Sequence, residues 1–269
     1  MPKTKVESYI ILYFDILGYS TYVWSMDKEQ QLHFYEILAG LTDVVKNIKA
    51  QYKKLLGLEN KVLSYVFSDN FLIAIKPNSV DDDANCTLIL LNLAAQIQAE
   101  IIKQNIFVRG CIIKGDLYAK RDVLQGRGII EAHILESHGI VFPRVFVGKE
   151  LIESFESLVN KVSMKYGEVD SVNAMRGLYR EDSDSAYFVD YLEYALLHKA
   201  DDKFFADHRD SILHYLHLCE AKSRIFKKYF WCALYHSLFC AENGMLDYVI
   251  DLDELMLEFG IDESFDLKH

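Results

Sequence analysis

Three prolines in 269 residues, with no proline-rich stretch, no low-complexity segment and no internal repeat, leave no room for a flexible linker or a tandem array. Cysteine is equally sparse. Five residues (Cys86, Cys111, Cys219, Cys232, Cys240) show no CxxC pair and no His–Cys ligand spacing. That excludes a disulfide framework and a zinc knuckle, and the thiols read as reduced core residues. Basic charge is short as well, with 29 Lys and Arg against 40 Asp and Glu and a net charge of −11. Without clustered cations the chain is not expected to bind nucleic acid nonspecifically. No window reaches about 18 apolar residues, so no membrane association is expected. The N-terminal apolar run stops at Asp15 without a cleavage site, which reads as a strand and not a signal. A cytoplasmic location is expected. What is abundant is core material: 51% of residues are hydrophobic, enough to exclude disorder.

The stretch Tyr9–Ser20, YIILYFDILGYS, carries the most information. Its β-formers deliver Asp15 to a strand end, and Gly18 then allows a tight turn. A second signal, LSYVF-SDN-FLIAI, puts Asp69 at the tip of a hairpin. Two carboxylates on neighbouring strand ends can hold two divalent metals against a triphosphate. Hard oxygen ligands suit Mg²⁺ or Mn²⁺. Free N–H groups of the turn, leading into a helix, can take phosphate oxygens.

Periodicity organises the rest. Leu32, Tyr35, Leu38, Leu41, Val45, Ile48, Tyr52 and Leu55 recur at helical spacing between Lys28 and Leu56. Strands are expected at Val62–Phe67 and Phe71–Ile75, and a helix from Ala84 to Lys103. A strand at Phe107–Ile113 is expected to break at Lys114-Gly115-Asp116. Gly126-Arg127-Gly128, by itself an ordinary strand-to-helix turn, leads into a helix over Ile129–Ser137, and Val141–Val147 is a further strand. The order β-α-β-β-α-β predicts an α+β fold, a ferredoxin-like antiparallel sheet with helices. In that topology the first strand lies beside the hairpin, bringing Asp15 and Asp69 together. Residues 1–150 form this core. Residues 151–269 read as a mainly helical extension packed on it, with a loop or short hairpin over Glu168–Asp184 and one long helix from His208 to Glu242, ended by Asn243-Gly244.

Three stretches together resemble the class III nucleotide cyclase catalytic domain: Phe14-Asp15-Ile16-Leu17-Gly18-Tyr19-Ser20, the hairpin Phe67-Ser68-Asp69-Asn70, and Val108 to Gly115 followed by Gly126 to His133. The resemblance covers roughly residues 8–150. It implies two divalent metal ions, Mn²⁺ or Mg²⁺, on Asp15, Asp69 and the carbonyl of Ile16, with Leu17, Gly18, Tyr19 and Ser20 cradling a nucleoside triphosphate. It implies attack of the 3′-hydroxyl on the α-phosphate with release of pyrophosphate, and a homodimer with sites at the interface.

The departures from the family pattern matter too. The position that selects a purine base falls on Tyr65. The places of the ribose Asn and phosphate Arg fall on Ile130 and Ile134, and a one-residue offset puts Glu131 at the Asn position. Arg127, Lys114 and Lys120 are possible replacements for the arginine. Arg109, flanked by apolar residues, either pairs with a buried carboxylate or reaches the phosphates. The chain looks like the compact bacterial pyrimidine cyclases of the Pycsar anti-phage systems, whose cyclic UMP or cyclic CMP is read by a separate effector. UTP is favoured over CTP. Other readings are a purine (adenylate or guanylate) cyclase, a degenerate cyclase-like nucleotide-binding module, and a purely structural ferredoxin-like domain. His214-x-x-His217 lacks a third metal ligand in view and reads as surface or core.

Overall fold

The computed structural model describes residues 5–56, 62–79, 82–120, 123–139, 141–262, 265 and 267. Strand β1 (Glu7–Ile16) is the central strand, and its apolar run is buried on both faces, as expected where helices cover a sheet. Gly18, at φ +77°, turns the chain into α1 (Tyr19–Ser25). The Asp27 side chain accepts from the backbone N–H groups of Glu29 and Gln30, while Gln30 Oε1 accepts from Asp27 N at 3.0 Å. This reciprocal cap starts α2 (Lys28–Leu56). Phe34 and Leu38 of α2 are buried, whereas Leu32 and Tyr35, expected inside, are exposed; the side chains of Leu41, Val45, Ile48, Tyr52 and Leu55 lie outside the described residues.

The hairpin β2 (Val62–Phe67) and β3 (Asn70–Ile75) follows, then α3 (Asp83–Ile102). Helix α3 is apolar and long enough to cross a membrane by length and composition, but most of it is buried inside the protein. Strand β4 (Val108–Lys120) does not break at Lys114-Gly115-Asp116. It pairs with β1 as far as Glu7↔Leu117, so the ladder overrides the local turn signal. It then hairpins with β5 (Val123–Gln125). Helix α4 (Arg127–Ile134) continues as a wider π-type turn over Leu135–Gly139, and β6 (Val145–Val147) is shorter than the expected strand.

The order across the first four strands is β2-β3-β1-β4, the ferredoxin-like arrangement, all antiparallel. The sheet then continues through β6 to a hairpin inserted after α5 (Lys149–Tyr166) and α6 (Asp170–Arg176). Its strands are β7 (Tyr179–Glu181) and β8 (Tyr187–Val189). The segment 168–184 therefore holds a helix and an edge strand. Helices α7 (Tyr191–Leu197), α8 (Asp202–Leu218), α9 (Arg224–Glu242) and α10 (Leu252–Glu258) complete the chain. The expected single helix over 208–242 is two. Cys219 is extended, and the Ser223 hydroxyl accepts from Phe226 N, a new N-cap worth about 1 kcal/mol. Asn243 and Gly244 (φ +69°) end α9 as expected.

One apolar layer, with Phe14 stacked on Phe71 at 4.8 Å, joins one sheet face to α3, α5 and the C-terminal helices. The other face (Tyr9, Ile11, Tyr13, Leu72, Cys111) is covered by α4. Helix α4 can lie this close because Gly115 and Gly128 face each other; a Cβ on Gly115 would sit 2.5 Å from the Gly128 Cα.

Candidate active site at the strand ends

Side chains alternate along a strand, so Asp15 shares the α4-covered face with Ile11 and Tyr13. In the antiparallel register Asp15 lies opposite Arg109. The guanidinium grips the carboxylate in a fork, Nε to Oδ1 at 3.0 Å and Nη2 to Oδ2 at 3.1 Å. Arg109 also forms an ion pair with Glu136. Of the two fates expected for Arg109, the structure supplies the carboxylate partner. Burial works against the arginine's charge, but the two acids hold its pKa above the ordinary value.

Glu136 has no counterpart in the sequence reading. It sits in the π-type turn after α4, buried, with Oε1 directed at Arg109 Nη2 in the ion pair. Turns of this type often mark functional positions. Burial, and after it a hydrogen bond and the charge of Asp15, raise its pKa to about 7 against the pull of Arg109. The α4 residues before it gave no signal, because an isolated Glu on a helix is normally solvated.

Asp69 stands at the hairpin tip, beside Ser68 at φ +56°. Asn70 Nδ2 donates to Asp69 Oδ1 at 3.2 Å, and the Tyr13 hydroxyl donates to Asn70 Oδ1, tying the tip to β1. Burial first, and the Asp15 charge among the weaker causes, push the Asp69 pKa up. Two residues far apart in the chain are thus within each other's electric field, as the topology predicts. Tyr13, another residue not foreseen, lies among Glu136, Asp15 and Asp69. Burial and these charges raise its pKa to about 12.

The remaining expected residues divide. Tyr65 is half-buried on the same face as Tyr13, since both pair with Leu72. Ile16 and Leu17 are buried, and the Leu17 N–H donates to the Phe107 carbonyl at 2.9 Å, so this N–H is committed within the fold. Gly18 and Ser20 are exposed, and Tyr19 packs on Phe34 at 5.9 Å. Arg127 and Glu131 are exposed on α4. Arg127 adjoins Gly128, which abuts Gly115 opposite Tyr9, about 20 Å along the sheet from Asp15. Lys114 is paired with Asp83, and Lys120 ends β4, about 35 Å along the strand from Arg109. Neither belongs to the cluster. Ile130 and Ile134 are exposed. His217 pairs with Glu258 on the surface at 2.9 Å.

The C-terminal half adds a cation. Lys228 of α9 is half-buried, and the charges acting on it are those of Arg109, Arg224, Asp15 and Glu136. Nothing in the sequence ties this helical lysine to strand ends more than a hundred residues earlier.

Among the described residues no group of three or more His, Cys, Asp or Glu side chains is arranged as a metal cage. Two carboxylates do meet the chemistry of a hard divalent cation. Asp15 and Asp69 are partly buried and repel each other, and a cation between them relieves that repulsion.

No family model matches the chain, and no curated protein matches it. Solved structures similar to it include the adenylyl cyclase CyaB from P. aeruginosa, at 13% identity over 57% of this chain and 83% of that one, TM-score 0.38. Another is the monomeric guanylyl cyclase domain of the RhoGC fusion protein from the aquatic fungus Blastocladiella emersonii, at 15% identity over 68% and 95%, TM-score 0.40. A third is a bacterial light-regulated adenylyl cyclase, at 10% identity over 77% and 99%, TM-score 0.40.

Proposed function

We propose that this protein is a nucleotide cyclase. In the reaction the 3′-oxygen of a nucleoside triphosphate bonds to its own α-phosphorus, the bond from that phosphorus to the β-phosphate oxygen breaks, and pyrophosphate and the hydroxyl proton leave. The observation that carries this reading is that Asp15, at the end of β1, and Asp69, at the tip of the hairpin whose β3 pairs with β1, lie within each other's electric field, inside a motif that resembles class III cyclases.

Asp15, Asp69 and the Ile16 carbonyl would hold Mg²⁺ or Mn²⁺, which lowers the hydroxyl's pKa and offsets triphosphate charge. Arg109 fixes the orientation of Asp15, and the Tyr13–Asn70 bond fixes the hairpin tip that carries Asp69. Gly18, Tyr19 and Ser20 bound the phosphate side. Tyr65, half-buried on this face, offers both a ring and a hydroxyl to a base. A pyrimidine triphosphate is the substrate in this reading, with UTP ahead of CTP, and the cyclic product serves as a signal in anti-phage defence, read by a separate effector in the cytoplasm. The working unit is a homodimer. Trp24, Leu32 and Phe67 support this, since their large apolar side chains stand exposed on α1, α2 and the hairpin tip.

The test is incubation of purified protein with each of the four nucleoside triphosphates and Mn²⁺, with products identified by mass. Cyclic UMP is expected, or cyclic CMP. Cyclic AMP or cyclic GMP alone overturns the specificity, and nucleotide binding without any cyclic product overturns the catalytic reading in favour of a binding module.

A further inference from the structure

The cyclase reading needs positive charge where the triphosphate sits, and the helix expected to offer it does not. The two α4 positions expected to offer it are the exposed Ile130 and Ile134. Every other expected cation is committed or remote. Arg109 is held by Asp15 and Glu136, Lys114 by Asp83, Lys120 lies at the far end of β4, and Arg127 stands at the distant start of α4.

Helix α9 comes to the opposite flank of the same strand ends. Tyr229 meets the ring of Phe107 edge-on at 5.4 Å and stacks on Tyr215 at 4.6 Å. Phe107 immediately precedes β4, and its carbonyl accepts the N–H of Leu17, two residues beyond Asp15. The first half of α9 is therefore seated against Phe107, the residue that leads into β4 and is bonded to the end of the β1 segment. Lys228 precedes Tyr229, and Arg224 lies one turn earlier on the same helix face. Among the described residues Lys228 and Arg224 have no hydrogen-bond or ion-pair partner, although Lys228 is half-buried. A half-buried ammonium without a partner is unusual, since desolvation disfavours it. It has a reason to be there if an anion arrives.

We propose that Lys228, with Arg224 beside it, is a substrate-binding residue of the C-terminal extension that engages the phosphate chain of the nucleotide and so completes the site from within the same chain. The inference rests on the cyclase reading and goes beyond it by giving the extension a direct part in substrate recognition. Desolvation, and after it the Arg109 charge, bring the Lys228 pKa to about 8, so a neutral solution keeps it mostly protonated and an arriving phosphate would hold it so.

The experiment is calorimetric binding of inorganic tripolyphosphate with Mn²⁺ to wild type, Lys228→Met, Lys228→Arg and Asp15→Asn, together with steady-state turnover of UTP. Methionine keeps the apolar stem, and thermal melting of each variant checks the fold. Lys228→Met is expected to weaken tripolyphosphate binding about 10- to 100-fold, the worth of one charge-assisted hydrogen bond, and to raise KM for UTP. Lys228→Arg is expected to restore most of both. If Lys228→Met binds tripolyphosphate like wild type while Asp15→Asn does not, the lysine merely neutralises the acidic cluster and this inference fails, with the cyclase reading intact. If wild type binds tripolyphosphate through Lys228 but makes no cyclic product, the cyclase reading fails and the phosphate site stands. If wild type binds no tripolyphosphate, both fall.

Discussion

Asp15, Arg109 and Glu136 at the strand ends, and His208, His236 and Tyr191 among α7, α8 and α9, are both clusters of polar groups drawn out of water, but only the second is internally complete. His236 Nε2 faces the Tyr248 carbonyl at 2.9 Å, which can only accept, so that nitrogen carries the hydrogen. Its Nδ1 must then accept from His208 Nδ1 at 2.9 Å, which leaves His208 Nε2 to accept from the Tyr191 hydroxyl at 2.8 Å. One arrangement of protons, with both rings neutral, satisfies every atom. The strand-end cluster has no such solution. Three carboxylates share one tightly held arginine, and burial together with Asp15 raises the Glu136 pKa to about 7. The comparison teaches that a closed network contributes stability, whereas an unbalanced one is held in place by the rest of the fold and is available for chemistry.

The largest effect expected from breaking this contrast is on activity. Asp15→Asn or Asp69→Asn should abolish cyclic product while the melting temperature hardly moves, because lost attraction to Arg109 is offset by relieved repulsion among the acids. Retention of more than about a tenth of the activity, a loss below about 1.4 kcal/mol of barrier, sinks the assignment.

The opposite outcome is expected at the histidines. His236→Ala should leave His208 unsatisfied and a cavity behind it, destabilising by about 3 kcal/mol in denaturant titration. Acid should act alike on wild type. Burial holds the His236 pKa down to about 4 and that of His208 well below its ordinary 6.5. The folded state then binds fewer protons than the unfolded one, so stability is full above pH 6.5 and declines as pH falls toward 4, by roughly 3 kcal/mol for His236. A flat stability curve between pH 7 and 4.5 contradicts the neutral pair.

Glu136→Gln sharpens the comparison at smaller scale. Replacing the frustrated acid should raise metal-free stability by about 1 kcal/mol at pH 8, seen as a higher melt. A lower melt means that the ion pair with Arg109 outweighs burial. Tyr65→Ala should change least, reducing the ratio of UTP to ATP turnover several-fold, about 1 kcal/mol, with little change in Mn²⁺ affinity. An unchanged ratio removes Tyr65 from base selection.

Much of this was legible in the sequence wherever a local pattern and a global contact agree. The apolar runs ending in Asp15 and flanking Ser68-Asp69-Asn70 are strands both by propensity and by burial, and their order dictates adjacency. The reading failed where a ladder or a cap outvoted the pattern. Strand β4 runs through Lys114-Gly115-Asp116 because β1 pairs with it there, and one Ser223 hydroxyl splits an aromatic periodicity that continues across two helices. Glu136 and Lys228 were hidden for a different reason. Each is an ordinary charged residue on a helix, and only packing brings it to Asp15.

The glycine pair under α4 works as a fulcrum. Gly115 and Gly128 set the height of one end of a short rigid rod, and the other end carries Glu136 to Arg109. A single methyl at Gly115 would meet the Gly128 Cα at 2.5 Å, a backbone atom that yields only if the rod tilts. The tilt is delivered at the far end, where the carboxylate balance around Asp15 is set. Two hydrogens, chemically inert and some 20 Å from the acids along the sheet, thus act as a calibration screw for the site, with no part in its chemistry.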